Sequence, residues 1–467
     1  MEFYVLLAFL TLAIFALTLA VWRKTRELAF PLGIGFLYYW SLFGAWSIVT
    51  DKLGGQSGMH YEYLERKMFS IKLDSNYFYA IVLYALFIIV VQVVILIFSR
   101  QGGAENRHTL PRQISHAAIL YIACAAGLFS YWIVKDSIEV AAALNVSAYA
   151  ALRGANADVP LLFTVHQLCN SVALVPTAIG FAVLCSGKTS KLLSGCSSSW
   201  TILMYLIVLG AMSAFCVMLG MKNQLFVAGL AGLLFYVANA ERPKKLLLIS
   251  AMLVGFIGFS LMESLRSVPL TDLVSAMRSL DAADLVSAFK FLASSDEAFG
   301  AHLSMYGVVS QNVPLTYGSS FVSLAVSPIP RILWPSRPSD IYDYYAEHVG
   351  AEPGQGYTIH HATGWYLNFG TLGVVIGGTI FGYIWAKCFN RRFSTKPTDG
   401  DWTYCLKATA PTMIAAFIPS LIRAGPEAYK GLVLEAFLIP TAVVGFAVFK
   451  QRKRSYGIEG RFKVVTP

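Results

Sequence analysis

Long apolar runs separated by polar connections dominate the chain. Their approximate bounds are 3–22, 29–50, 77–99, 114–134, 160–185, 199–219, 224–239, 245–263, 367–387, 404–424 and 431–449. A run of about 20 apolar residues matches the length of a helix that crosses a lipid bilayer. The pattern therefore predicts an all-α polytopic membrane protein with about 11 transmembrane helices, of which 224–239 is the shortest.

Composition supports the membrane assignment. Hydrophobic residues make up 56% of the chain, charged residues 13%, and the mean hydropathy is +0.60. Soluble domains carry roughly a quarter charged residues. The first apolar run, from Phe3 to Trp22, has no basic residues before it and no small-residue cleavage site after it, so we expect a retained helix. The seven cysteines form no CxxC pair, which argues against a disulfide framework or a zinc site.

The net charge of +10 comes mainly from basic residues that cluster in alternate short connections between the apolar runs. Cytoplasmic connections of membrane proteins carry such an excess, so this distribution predicts orientation rather than nucleic-acid binding. The N-terminus is predicted outside and the C-terminus inside. The predicted organisation is transmembrane helices in 1–263, a long outer loop in 264–366, and transmembrane helices with a basic inner tail in 367–467.

The long outer segment begins with two similar phrases, which start at Asp272 and Asp284. Each places an aspartate before an amphipathic turn or two, which predicts short helices that lie on the membrane surface. Prolines at 314, 328, 330, 335 and 338 then interrupt regular structure.

Acid and base groups collect on the predicted outer side. The candidate proton acceptors are His361, His360 and Glu297, with Asp296, Asp340 and Asp343 as further acids. Polar residues also accumulate in long polar loops for no catalytic reason, and that interpretation stays open for each histidine.

Several cations lie outside, against the usual inside bias. Arginine donates two parallel hydrogen bonds to phosphate, so such cations suit a lipid-linked phosphate or pyrophosphate. The candidate pyrophosphate ligands are Arg153, Lys222, Arg331, Arg337 and Arg423. A structural ion pair with Glu435 is the alternative for Arg423, as a pair with Glu263 is for Arg266.

The candidate sugar contacts are Tyr149, Trp334, Tyr366 and Asn368. Anchoring at the membrane interface is the alternative role for the aromatic ones. The outer segments contain no HExxH or DxD signature and no glycine-rich phosphate loop, so we predict no metal and no cofactor, and we favour a lipid-linked sugar donor over a nucleotide donor.

Five stretches carry a likeness to a known family. They are YAALRG, the Gly220-Met-Lys-Asn turn, PIPRILWPSRP, the aromatic-Leu-Asn-Phe-Gly-x-x-Gly element from Tyr366 to Gly373, and SLIRAGPEAYKG from Ser420 to Gly431. With these, the chain resembles the Wzy-type O-antigen or oligosaccharide repeat-unit polymerases of bacterial envelopes. Many relatives carry an acid shortly before the aromatic-Asn-Phe-Gly element, whereas this chain has Gly364 there, with His360 and His361 nearest.

The resemblance implies a fold like that of the metal-independent, polyprenyl-dependent glycosyltransferases (GT-C-like) in the bacterial inner membrane. It also implies that a growing glycan moves from undecaprenyl pyrophosphate onto an incoming lipid-linked repeat unit at the periplasmic face, as in lipopolysaccharide or exopolysaccharide synthesis. A chain-length regulator and a flippase would be protein partners. The alternatives are an O-antigen ligase and, from another class, a lipid-linked oligosaccharide flippase or transporter.

Overall fold

The structure is a computed structural model that describes residues 2–54, 61, 65, 68–100, 110, 114–152, 160–186, 198–240, 243–266, 268–279, 296–326, 334, 336, 338, 340–350, 358–389 and 401–449. In these ranges the regular secondary structure is helical, with one isolated β-bridge between Ile359 and Ala424. The helices are α1 Glu2–Thr25, α2 Ala29–Gly54, α3 Ser75–Phe98, α4 His116–Ala143, α5 Pro160–Ser186, α6 Ser198–Met218, α7 Lys222–Asn239, α8 Lys245–Leu265, α9 Leu273–Arg278, α10 Asp296–Ser310, α11 Ser319–Val326, α12 Ile341–His348, α13 His361–Cys388, α14 Asp401–Arg423 and α15 Ala428–Phe449.

The predicted all-α polytopic class is confirmed. Among the described residues, nine helices are long and apolar enough to cross a membrane, and α7 and α8 are the two predicted spans outside that group. Both nevertheless fold as helices at their predicted places. Helix α1 exposes large apolar side chains, such as Phe9 at 69% and Phe15 at 60%, because its partner is the lipid bilayer.

Polar side chains define where several helices begin. Asp74 accepts a hydrogen bond from the backbone N–H of Tyr77 and caps α3, while Ser115 caps α4 through the N–H of Ala118. Such caps satisfy donors that have no partner within the helix.

The chain divides into two compact units. The first comprises residues 1–106, 293–393 and 417–433. Within it, α13 packs along α3, and glycines allow the approach: a Cβ atom at Gly382 would lie 2.8 Å from the carbonyl oxygen of Val91. Helix α10 packs against α2, α3 and α13, and its residues from Ala298 to Val308 are buried.

The second unit comprises residues 107–292, 394–416 and 434–467. Helix α5 packs against α4 on one side and α7 on another, and α6 also contacts α5. A Cβ atom at Gly232 of α7 would lie 2.9 Å from the carbonyl oxygen of Ala178, so this helix pair also depends on a small residue.

The segment predicted as a long outer loop contains four described helices, α9 to α12. Helix α9 has no buried residue and follows Asp272, as predicted for a surface helix, although that aspartate makes no side-chain cap. Helix α10, which the sequence did not predict as a separate element, is packed inside the first unit. The second predicted surface helix, after Asp284, lies outside the described residues.

Candidate functional site

The first turn of α13 contacts the turn that joins α14 to α15. Ile359 and Ala424 form a parallel backbone bridge. The Nδ1 atom of His361 lies 3.1 Å from the carbonyl oxygen of Leu421 and 2.9 Å from that of Gly425. Carbonyls only accept, so Nδ1 carries the proton and donates to both. These bonds hold the 421–427 turn against α13.

Two glycines make this contact possible. Gly425 has a φ of +65°, a left-handed conformation that residues with a Cβ atom rarely adopt. A Cβ atom at Gly364 would lie 2.4 Å from Cδ of Pro426. Gly364 therefore lets the turn lie directly on the helix.

His361 is fully buried, and both of its ring nitrogens are engaged. Its Nε2 atom accepts from the hydroxyl of Tyr429 at 3.0 Å and from the indole N–H of Trp365 at 3.2 Å. With Nδ1 donating to two carbonyls, the ring is the neutral Nδ1–H tautomer. This geometry favours holding backbone over accepting a substrate proton.

His360 is equally buried and caps α13. Its Nδ1 atom accepts from the backbone N–H of Ala362 at 3.1 Å, so Nε2 donates to the Ser41 hydroxyl at 2.9 Å, which in turn donates to the carbonyl of Leu37. Burial lowers the pKa of His360 well below its usual range, and the nearby His361 and His302 rings lower it further. His360 is therefore neutral at physiological pH.

His302 of α10 completes a chain of three buried histidines. It donates from Nδ1 to the backbone carbonyl of Ser41 at 2.5 Å and accepts from the Tyr77 hydroxyl at 2.7 Å. Burial lowers the pKa of His302 to about 4. Ser41 thus links both His302 and His360 to α2, and the network is fully hydrogen-bonded, as buried polar groups in stable cores are.

Glu427 is the titratable group of this region that sequence reasoning missed. Its carboxylate is buried and accepts from the backbone N–H of Ile341 at 2.7 Å, at the start of α12. Asp340 caps the same helix through the N–H of Asp343 at 2.8 Å. Burial, more than the neighbouring charge of Asp340, raises the pKa of Glu427 from 4.5 to about 7, although the bond from Ile341 and the charge of Lys430 act in the opposite direction.

A carboxylate with a pKa near the working pH is suited to general acid–base chemistry. Arg423 is the last residue of α14 and half-buried, four residues before Glu427. The turn thus presents a candidate base and a candidate anion ligand together. The sequence contained a signal for Glu427, since an acid follows Arg-Ala-Gly-Pro at a helix end, but its unusual pKa depends on α12, which is distant along the chain.

Asn368, a predicted sugar contact, is buried, and its side-chain oxygen and nitrogen both form hydrogen bonds within the protein. Its side-chain oxygen accepts from the hydroxyls of Thr316 and Ser320, both at 2.9 Å, and its nitrogen donates to the carbonyl of Gly364 at 2.7 Å. This bonding and the burial of the side chain support a structural role next to an interruption of α13.

The aromatic candidates of the first unit are more accessible. Trp334 is 37% exposed and donates its indole N–H to the hydroxyl of Ser336 at 3.1 Å. Tyr366 is half-buried, with its ring edge-on to Tyr79. Glu297 lies in α10, but its side chain is outside the described residues.

In the second unit, Tyr149 carries the guanidinium of Arg266 over its ring, 3.5 Å from the ring centroid. That arrangement occupies one ring face that a sugar would otherwise use. Lys222 is buried at the first position of α7. The remaining predicted cations, Arg153, Arg331 and Arg337, lie outside the described residues.

Within the described ranges, no group of three or more histidine, cysteine, aspartate or glutamate side chains is placed to hold a metal ion. Comparison with protein-family models, with curated proteins and with solved structures finds no match for this chain.

Proposed function

We propose that this chain is a glycan polymerase of the bacterial inner membrane. It would transfer a growing glycan from undecaprenyl pyrophosphate onto the terminal hydroxyl of an incoming lipid-linked repeat unit, at the periplasmic face. The proposal combines the sequence resemblance with the chemistry of the 421–427 turn, which lies between two apolar helices of spanning length. A turn between two spanning helices lies at the surface of the bilayer, and the phosphate groups of polyprenyl lipids lie in that same polar region.

The observation that carries the proposal is the buried Glu427 carboxyl, whose pKa of about 7 suits it to accept a proton at neutral pH. In the proposed step, the acceptor hydroxyl oxygen bonds to the anomeric carbon of the donor as the bond from that carbon to the pyrophosphate oxygen breaks. The hydroxyl proton passes to Glu427. Undecaprenyl pyrophosphate leaves with the bonding electrons.

Cations would stabilise the charge that develops on the leaving pyrophosphate. Arg423 is our first choice because it lies in the same turn as the proposed base, and Arg153, Lys222, Arg331 and Arg337 remain proposed ligands. Trp334 and Tyr366 are the proposed sugar contacts in the first unit. The three buried histidines would hold the surrounding helices and turn in place and would not contact the substrate.

The test is a Glu427→Gln variant expressed in a strain that lacks the native gene. Glutamine keeps the side-chain oxygen that accepts from Ile341 but cannot take a proton, so we expect long polymer to vanish while single repeat units remain attached to lipid A core. The matched control is Glu347→Gln, which changes an exposed glutamate on α12. In membranes of the unaltered protein, the rate should rise with pH through about 7, because the ionised carboxylate is the base.

Two results would contradict the proposal. A normal chain-length ladder in Glu427→Gln would remove the assigned base. Loss of all attached glycan in the null strain, single units included, would favour the ligase.

A further inference from the structure

The hydrogen bonds of His361 all end on the turn that carries the proposed base, or on residues that pack beside it. Leu421 lies in the last turn of α14, where carbonyls lack partners within the helix, and Gly425 lies two residues before Glu427. The Tyr429 hydroxyl, which bonds to Nε2, lies two residues after Glu427. One imidazole thus contacts the chain on both sides of Glu427.

We propose that His361 is a positioning residue that fixes the 421–427 turn and so places Glu427 and Arg423 for transfer. This inference rests on the proposed function. It replaces the prediction that His361 is itself the proton acceptor with a role through another group.

The position of the proton on the His361 ring is the reason for assigning this residue a positioning role. A base needs a lone pair that can face the substrate, but the Nε2 lone pair of His361 accepts from two protein donors and the ring is fully buried. The Nδ1–H, in contrast, satisfies two backbone carbonyls that lie 60 and 64 residues away along the chain. Without that donor, the turn loses its side-chain link to α13 while the apolar packing of the helix remains.

A pair of amide substitutions tests the two nitrogens of the His361 ring independently. His361→Asn places an N–H near the position of Nδ1, whereas His361→Gln places its amide near Nε2, and neither side chain can act as a base. We expect His361→Asn to retain most polymer synthesis and His361→Gln to lose about 100-fold, the scale of a displacement of about 1 Å at a reacting group. Equal inactivity of the two variants would overturn the proposal in favour of a catalytic His361, and equal activity would show that the ring does not position the turn.

Gly364→Ala tests the same idea without altering the histidine. The new methyl group would press on Pro426, whose Cδ atom lies 2.4 Å from the ideal Cβ position, so the turn should shift. We expect this variant to reproduce the effect of His361→Gln at normal abundance in the membrane. Full activity of Gly364→Ala would count against positioning even if His361→Gln failed to accumulate.

A readout without substrate separates this inference from the proposed function. Infrared difference spectra of the purified full chain, with Glu427→Gln as the reference, report the protonation of the Glu427 carboxyl as pH changes. The titration midpoint should stay near that of the unaltered protein in His361→Asn and fall in His361→Gln, because a displaced turn lets water reach the carboxylate. An unchanged midpoint in His361→Gln would refute positioning. A shifted midpoint together with full polymerase activity in Glu427→Gln would uphold positioning and reject the proposed base.

Discussion

Glu427 acquires its properties from neighbours that are remote in sequence. Burial removes water from the carboxylate and disfavours its charged form, and Asp340 adds a like charge. The single backbone donor from Ile341 compensates only in part. A group in this balance changes charge in the pH range where the protein would work, so its state should be measurable as a dependence of stability on pH.

The folded protein holds a proton on Glu427 between pH 4.5 and about 7, whereas the unfolded chain has already lost it. The unfolded state then binds fewer protons at this group, so the contribution of Glu427 to stability falls as pH rises through this window and is constant on either side. The contribution is up to about 3 kcal/mol. We expect the thermal midpoint of the detergent-solubilised protein to fall accordingly from pH 4.5 to about 7.

Glu427→Gln is the control for that slope, because Glu27 also has a pKa raised to about 7 by burial and titrates in the same window. The difference between the unaltered protein and Glu427→Gln isolates the contribution of Glu427. Parallel pH profiles for the two proteins would show that the carboxyl is not held protonated by the fold.

At the scale of elements, α13 is two helical pieces joined at an interruption. Phe369 and Gly370 have non-helical backbone angles, and Gly370 has a φ of +61°. Asn368 binds this interruption to the start of α11, through the hydroxyl of Thr316 just before that helix and the hydroxyl of Ser320 in its first turn. The Leu-Asn-Phe-Gly element is therefore an interruption of a membrane helix. Such interruptions are tolerated where side chains bond the backbone groups that lose their helical partners.

Removing the Asn368 side chain should destabilise the fold. In Asn368→Ala, the buried Ser320 hydroxyl and the half-buried Thr316 hydroxyl lose their shared acceptor. We expect the free energy of unfolding to fall by about 1–3 kcal/mol, measured as a lower thermal midpoint. Thr379→Ala is the matched control, because Thr379 is exposed on the same helix and bonds only to the carbonyl of Val375 within it. Equal midpoints for the two variants would show that the hydrogen bonds to Asn368 contribute nothing to stability.

Apolar runs predicted the helices well because lipid imposes the same requirement on every span. The eleven predicted runs are all helical, with boundaries that differ by several residues. Helix α13 begins at His361 and not near residue 367, since its first turns are polar and read as part of the loop. Helix α10 could not be predicted as buried, because its small and polar residues acquire their packing from α2, α3 and α13.

The candidate site was harder to predict for a related reason. Adjacent histidines beside a polar loop suggested a base, whereas their bonds to Ser41 and Leu421 span 319 and 60 residues of sequence. Such long-range contacts decide whether an imidazole can accept a proton from substrate or instead holds the backbone in place. No local sequence pattern encodes them. Glu427 was overlooked because nothing near it in sequence announces the burial that raises its pKa.

At the scale of the whole molecule, the number of crossings decides which side each connection faces. Nine described helices meet the length and hydropathy needed for spanning, and α7 and α8 would raise the number to eleven. Both numbers are odd, so both place the two termini on opposite sides of the membrane. Only the connection between α7 and α8 changes side, which makes it the informative position.

We expect α7 and α8 to cross, because Lys244 between them and Lys245 at the start of α8 fit the excess of basic residues in inner connections. In a cysteine-free background, Lys244→Cys at this exposed position should react with a membrane-impermeant maleimide only after the cells are permeabilised. Leu28→Cys is the matched inner control, and Tyr317→Cys, at a residue that is 79% exposed on the proposed outer side, should react with intact cells. Labelling of Lys244→Cys in intact cells, with both controls as expected, would mean that α7 and α8 do not cross and that the described chain has nine spans.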